Sequence, residues 1–254
     1  MEQRARDLFA KLEMEHPAVA IKFHYAKPAG VAHAGEKLSL CQYVNKAQRS
    51  GERFYITKED EDCLGSVILG MEPKPPLVAS GVAGMDFEVY RTPAPNARLH
   101  ATYPTLTPGA VNFVEFCPVA ICDFYPDLII CVANTRQADI LMRATSYISG
   151  DLWESKTSCV MSCAWTYAYP YLSGKVNFCI TGMHHGMKRR KVYPEGLHII
   201  AIPYQKIDEV VQALDEMPWV PIAFREDEES RAELKRRMDS WERLEPDFTL
   251  KRTD

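Results

Sequence analysis

The sequence predicts an α+β protein, a mixed α/β sheet with helices on it, from three observations. Short apolar runs rich in β-branched residues alternate with segments of helical periodicity along most of the chain. Prolines and glycines crowd residues 71–110 and mark a loop-rich insertion. A weak internal echo sets the helix ending at Gly51 and the following Cys63 against the helix ending at Gly150 and the following Cys163. Two half-domains meeting at a shared site would produce such a pseudo-repeat.

Taken in order, Leu8, Phe9 and Leu12 stand at helical spacing, and Pro17 closes that helix before a strand at Val19-Ala-Ile-Lys-Phe23. Leu40 to Gln48 reads as a helix stopped by Ser50-Gly51, because glycine adopts the left-handed conformation that ends helices. Arg53-Phe-Tyr-Ile-Thr57 is a short strand, and the acidic turn Lys58-Glu-Asp-Glu-Asp62 runs directly into Cys63. From Met71 to Pro108 the prolines leave room for short strands at most. Val111 to Phe116 and Asp127 to Ala133 read as strands, the second buried, and a helix follows from Thr135 to Ile148. Val176 to Thr181 and Leu197 to Ile202 are further strands. Gln205 to Met217 is an amphipathic helix with Ile207, Val210, Val211 and Leu214 on one face, which completes a single domain over residues 1–220. Residues 221–254 form a charged helical appendage with a narrow stripe of Leu234, Met238, Trp241 and Leu244. A lone helix of that length is marginal in water, so it is expected to dock on the body, on a second copy or on a partner subunit.

The 254 residues carry a net charge of −4, which gives no general attraction to nucleic acid or to an anionic membrane. Met1 to Asp7 mixes both charge signs and lacks the apolar run of a secretory signal. The longest uncharged stretch, Thr157 to Gly174, contains Pro170 and many hydroxyls, so it is a poor bilayer span. A cytoplasmic protein is expected, in which the eight cysteines remain thiols.

Cys131 lies within the apolar run Leu128-Ile-Ile-Cys-Val-Ala133 and reads as a small buried hydrophobe. Cys117 and Cys122 form Cys-Pro-x3-Cys, and Cys159 and Cys163 form Cys-x3-Cys. Neither has the spacing of a zinc knuckle, a redox dithiol or a ferredoxin run. Cys41, Cys63, Cys159 and Cys163 fall at element ends, where ligands are usually presented, although a buried thiol at an element terminus is the plainer alternative. Met183 to Lys191 is the one strongly basic run. It reads either as a solvated hairpin between strands or as an anion site using His184, His185, Lys188 and Arg189. Trp165, Tyr167, Tyr169 and Tyr171 alternate with smaller residues, as on one face of a strand, while Ala164 and Ala168 also suit a helix start. They are either core or the wall of a pocket beside Cys163. Nucleotide-binding, zincin and serine-hydrolase motifs are absent from the sequence.

Several segments together carry a family resemblance. They are Leu40-Cys-Gln-Tyr-Val44, Gly51 through Cys63-Leu-Gly65, Leu69-Gly70, Pro126 through Ala138, Ser162-Cys163, Pro170-Tyr-Leu-Ser-Gly174 and Ile202-Pro203. Over about residues 5 to 217 the chain resembles the uncharacterised archaeal-conserved-region family, domain of unknown function 169. The resemblance implies an anaerobe-associated protein whose family cysteines correspond to Cys41, Cys63 and Cys163. It also shows a departure. Cys63-Leu-Gly-Ser66 stands where the family has Cys-x-Gly-Gly, and Gly182-Met-His-His185 where it has Cys-Asn-Gly. A fourth ligand therefore falls to Cys159, Cys179 or His184, or the site has three protein ligands.

With that resemblance, the leading expectation is an iron–sulfur centre, favoured as a [4Fe-4S] cubane on Cys41, Cys63 and Cys163, performing redox or Lewis-acid chemistry on a small anionic substrate. One alternative makes Cys63 or Cys163 a nucleophile with His184 as base, in a transferase or hydrolase. Another is a non-catalytic zinc or small-ligand accessory protein.

Overall fold

Seven short segments satisfy the backbone by pairing into one mixed sheet. The computed structural model describes residues 1–241. The strands are β1 (His16–His24), β2 (Ala32–His33), β3 (Phe54–Ile56), β4 (Phe113–Pro118), β5 (Leu128–Ala133), β6 (Asn177–Ile180) and β7 (His198–Pro203). Their order is β2-β3-β4-β1-β5-β7-β6. The β2/β3 pair is parallel and the other pairs are antiparallel.

The helices are α1 (Gln3–Lys11), α2 (Leu40–Ser50), α3 (Gly65–Ile68), α4 (Pro76–Ser80), α5 (Val82–Asp86) and α6 (Pro93–Thr102), then α7 (Thr135–Ala144), α8 (Tyr169–Ser173), α9 (His185–Arg189), α10 (Tyr204–Glu216) and α11 (Glu228–Trp241). A turn of π-helix, Ala164–Ala168, runs directly into α8.

Strand periodicity explains the core. Val19 and Ile21 of β1 stand beside Ile130 and Leu128 of β5, and Ile21 also faces Phe116 of β4, so all five side chains share one sheet face. α2 covers that face with Leu40, Tyr43, Val44 and Ala47, and the π-helix adds Ala164, Trp165, Tyr167 and Ala168. Burying each large aliphatic side chain there contributes about 1.5–3 kcal/mol. All six residues of β5 are buried, and α7 packs against β5 and β7. A central strand covered on both faces explains its unbroken apolar run.

The structure departs from the sequence reading at several elements. Pro17 lies inside β1, where the β1/β5 register shifts between His16 and Val19, an irregularity that tolerates a residue with no N–H. Half of the 71–110 insertion is helical. Pro76, Pro93 and Pro95 occupy first-turn positions, where the missing N–H has no intrahelical partner to lose, so they open α4 and α6. Gly81, at φ +78°, ends α4 and leads into α5. α7 stops at Ala144, short of Ile148. Trp165, Tyr167, Tyr169 and Tyr171 belong to the π-helix and α8, not to a strand. The basic run forms α9 between β6 and β7 in place of a hairpin turn. In α10, Ala213 is buried and Val211 only partly so.

The contacts divide the chain into one unit spanning Met1–Asp215 and a second from Glu216 onward. The second unit contains α11, in which Met238 and Trp241 are exposed. Leu244 of the expected apolar stripe lies outside the described residues.

Candidate functional site

Cys41 is the second residue of α2, whose first turn is fixed by Gln42: its side-chain oxygen accepts the Ser39 N–H at 3.1 Å. The Ser39 hydroxyl lies 3.2 Å from the Cys41 sulfur. The acidic turn is stitched to the entry of this helix, since Leu38 N donates to Asp60 O at 3.0 Å and Asp62 N to Leu38 O at 3.2 Å. The Tyr43 hydroxyl sits 2.6 Å from the Glu36 carbonyl and 3.0 Å from that of Asp60.

Glu61 sets the position of Cys63. One carboxylate oxygen accepts the Leu40 N–H at 3.3 Å, and the other accepts Cys63 N and Gly65 N at 3.0 Å and Ser66 N at 3.4 Å. One buried side chain thus clasps the start of α2 to the Cys63 loop. Gly65 permits the approach, because a Cβ there would meet Leu40 Cγ at 2.5 Å and Glu61 Oε1 at 2.8 Å.

Cys163 immediately precedes the π-helix. That segment is tied to α2 by Tyr167, whose hydroxyl donates to the Leu40 carbonyl at 3.2 Å, and anchored locally by Trp165 Nε1, which donates to Ser158 Oγ at 2.7 Å. Leu40 is therefore held by both cysteine-bearing neighbours of α2.

Cys41, Cys63 and Cys163 all line one cavity of about 300 Å³. Ser39, Leu64, Met161 and Ser162 continue the wall around the thiols. The α5–α6 segment supplies Gly84, Phe87, Val89, Asn96 and His100, and α9 with its C-cap supplies His185, Met187, Arg189 and Arg190. Burial pushes the Cys41 thiol up to about 11. Burial, followed by the neighbouring Cys41 and Cys63, raises Cys163 well above the ordinary thiol range, and burial followed by Glu61 raises Cys63. Burial thus favours the protonated thiols, and a bound cationic centre would favour their thiolate forms.

The other candidate residues separate into two groups. His185 and Arg189 line the cavity. Lys188 pairs with Glu195 at 3.0 Å and lies outside the lining. Cys159 is exposed, its sulfur 3.2 Å from the Tyr90 hydroxyl, and also lies outside the lining. His184 is buried beside Thr157, with Nε2 2.9 Å from the hydroxyl oxygen, and burial lowers its pKa. It does not line the cavity, and neither does Cys179, which is buried in β6. Cys117, Cys122 and Cys131 are buried elsewhere, and all eight cysteines are free thiols. Residue-level reading missed Asn96, His100 and Phe87, which stand in the segment read as loop, and Arg190, which ends the basic run's helix.

Among the described residues, no three Cys, His, Asp or Glu side chains gather closely enough to hold a single metal ion. A cluster would be held by thiolates, and Cys41, Cys63 and Cys163 are the thiols that could supply them. Three thiols on one cavity wall are soft donors, the ligand type that an iron–sulfur cluster takes.

A family model described as uncharacterised ArCR, a domain of unknown function, matches residues 7–213. An uncharacterized protein of Methanocaldococcus jannaschii is 23% identical over 219 residues, covering 84% of this chain and 93% of that protein. No solved structure matches the chain. Among the described residues, no helix is long and apolar enough to cross a membrane.

Proposed function

The chain belongs to the uncharacterised ArCR family, and from that premise we propose that it is a cytoplasmic iron–sulfur protein whose cubane is held by Cys41, Cys63 and Cys163. One observation carries the reading: three thiols from distant parts of the sequence line the same cavity. Such a cluster, with three protein ligands, supplies an open iron for Lewis-acid chemistry or an electron for a redox step on a small anionic substrate.

The protein's own residues have separable tasks. Glu61 fixes the Cys63 loop against α2. Arg190, paired to the Asp62 carboxylate at 3.0 Å, places positive charge beside Cys63 and Cys41, which favours their thiolate forms. His185 and Arg189 face the cavity and would orient an anion there. The raised thiol pKa values weigh against an activated nucleophile, which needs a thiolate near neutral pH.

Purification without oxygen tests the assignment. The expected result is about four irons and four sulfides per chain with broad visible absorption, lost when Cys41, Cys63 or Cys163 is replaced by serine. A folded, colourless protein free of iron overturns it, and one zinc per chain in place of iron points to a zinc-binding accessory role.

A further inference from the structure

The geometry points to the occupant of this cavity: a small carboxylate with an apolar body and a hydrogen-bond donor, enclosed by α4–α6 acting as a lid. The inference deepens the small-anion part of the proposed function and does not depend on the cluster.

The charge comes from a count of cations. Of the three basic residues on α9 and its C-cap, Lys188 is paired with Glu195 at 3.0 Å and Arg190 with Asp62 at 3.0 Å. Arg189 makes no ion pair among the described residues, and its guanidinium lies 6.0 Å from the centre of the Phe87 ring. One guanidinium without an ion pair among the described residues suits one negative charge, and its planar fork matches a carboxylate. Beside it, His185 Nε2 is buried without a hydrogen-bond partner among the described residues. Asn96, 2% exposed, donates from Nδ2 to the Gly81 carbonyl at 3.1 Å while its Oδ1 is left without a partner. Buried polar atoms are costly unless satisfied. Both atoms are closed off from the cavity in this arrangement, so an occupant bonds to His185 Nε2 and donates to Asn96 Oδ1 only as α4–α6 shifts. The rest of the wall is mostly apolar, with Leu64, Val89, Val160 and Met161, and calls for a hydrocarbon body.

The lid follows from packing. α4, α5 and α6 pack on one another, yet no apolar side chain between Met71 and Thr102 is buried. Within α4–α6, Leu99 is the one hydrophobic residue packed against the main core, and it is only partly buried. Three contacts hold the segment across the cavity: Phe87 stacks on His185, with centroids 5.3 Å apart and planes at 20°, the Arg189 guanidinium lies over the same Phe87 ring, and the Tyr90 hydroxyl meets the Cys159 sulfur at 3.2 Å. A segment with so little buried apolar surface opens at low cost compared with the sheet. Both sides of the Phe87 stack belong to the cavity wall, so an occupant there is linked directly to closure.

Calorimetric titration of the full-length protein with 2-hydroxy-3-methylbutanoate, mandelate and inorganic phosphate, together with hydrogen exchange followed by peptide, tests the assignment. At least one hydroxycarboxylate is expected to bind more tightly than phosphate and to slow exchange across residues 76–102 at least tenfold. Without ligand, that segment is expected to exchange faster than β5. Arg189→Ala should weaken binding at least tenfold, and Arg189→Lys should restore part of it. Phosphate binding as tightly, absence of carboxylate binding, or exchange across 76–102 as slow as in β5 would overturn the proposal. Iron content is measured on the same samples, so iron-free protein that binds the carboxylate refutes the cluster alone, and iron-loaded protein that ignores it refutes this inference alone.

Discussion

At the scale of single residues, Glu61 and Gly65 do the positioning on which the thiols depend. Gly65→Ala would force its Cβ into Leu40 and Glu61, so it should destabilise the protein by about 1–3 kcal/mol. The same change moves the Cys63 loop away from α2, so iron retained after anaerobic purification should fall together with the melting temperature. The thiols themselves predict a pH dependence. In the metal-free protein their folded-state pKa values exceed those of the unfolded chain, with Cys41 at about 11, so protonated thiols favour the folded state. For Cys41 that contribution is complete below the unfolded thiol range and disappears as pH rises through about 9 to 11. Thermal melts of metal-free protein from pH 8 to pH 11 should therefore fall more steeply than those of a Cys41→Ser variant. Equal slopes would show that the Cys41 sulfur is not held away from water.

At the scale of elements, the far side of the sheet should be energetically separate from the cavity. The Asn134 side chain caps α7 by accepting the Gln137 N–H at 3.0 Å, and Gln137 returns the contact by accepting Asn134 N–H at 3.0 Å. Asn134→Ala should cost about 1 kcal/mol, seen as a lower melting temperature with unchanged metal content. The caps also explain what was legible in the sequence. α2 and its stop at Gly51 stood out because periodicity and a left-handed glycine agree. The strand content of β3, β4, β5 and β7 was legible from β-branched and aromatic runs. α4 to α6 were not, because prolines that open helices use the same residue type as prolines that break them, and the insertion has no buried apolar stripe to reveal a period. Trp165 to Tyr171 misled for a related reason: a π-turn alters the helical spacing, and the resulting alternation mimics a strand.

At the scale of the whole molecule, the sheet explains the internal echo differently from the cysteines that suggested it. β1 and β5 pair at the centre, followed outward by β4 and β3 on one side and β7 and β6 on the other, with β2 added beyond β3. The run β1, α2, β3, β4 thus matches β5, α7, β6, β7 in order and sense of pairing. The cysteines do not follow that symmetry: Cys63 comes after β3 whereas Cys163 comes before β6, and α7 carries no thiol at the position equivalent to Cys41. The three thiols were singled out through family resemblance, whereas their shared cavity and the partners Asn96, His100 and Arg190 emerge only when the chain is folded. Among the described residues every strand lies within Met1–Asp215, as does every cysteine, and the family match ends at residue 213. A chain ending at Met217, which keeps all of α10, should accordingly unfold in one cooperative transition and bind as much iron as the full-length protein. Denaturant unfolding and iron analysis on the two chains side by side check this. Aggregation or loss of iron in the shorter chain would show that residues after 217 complete the metal-binding unit.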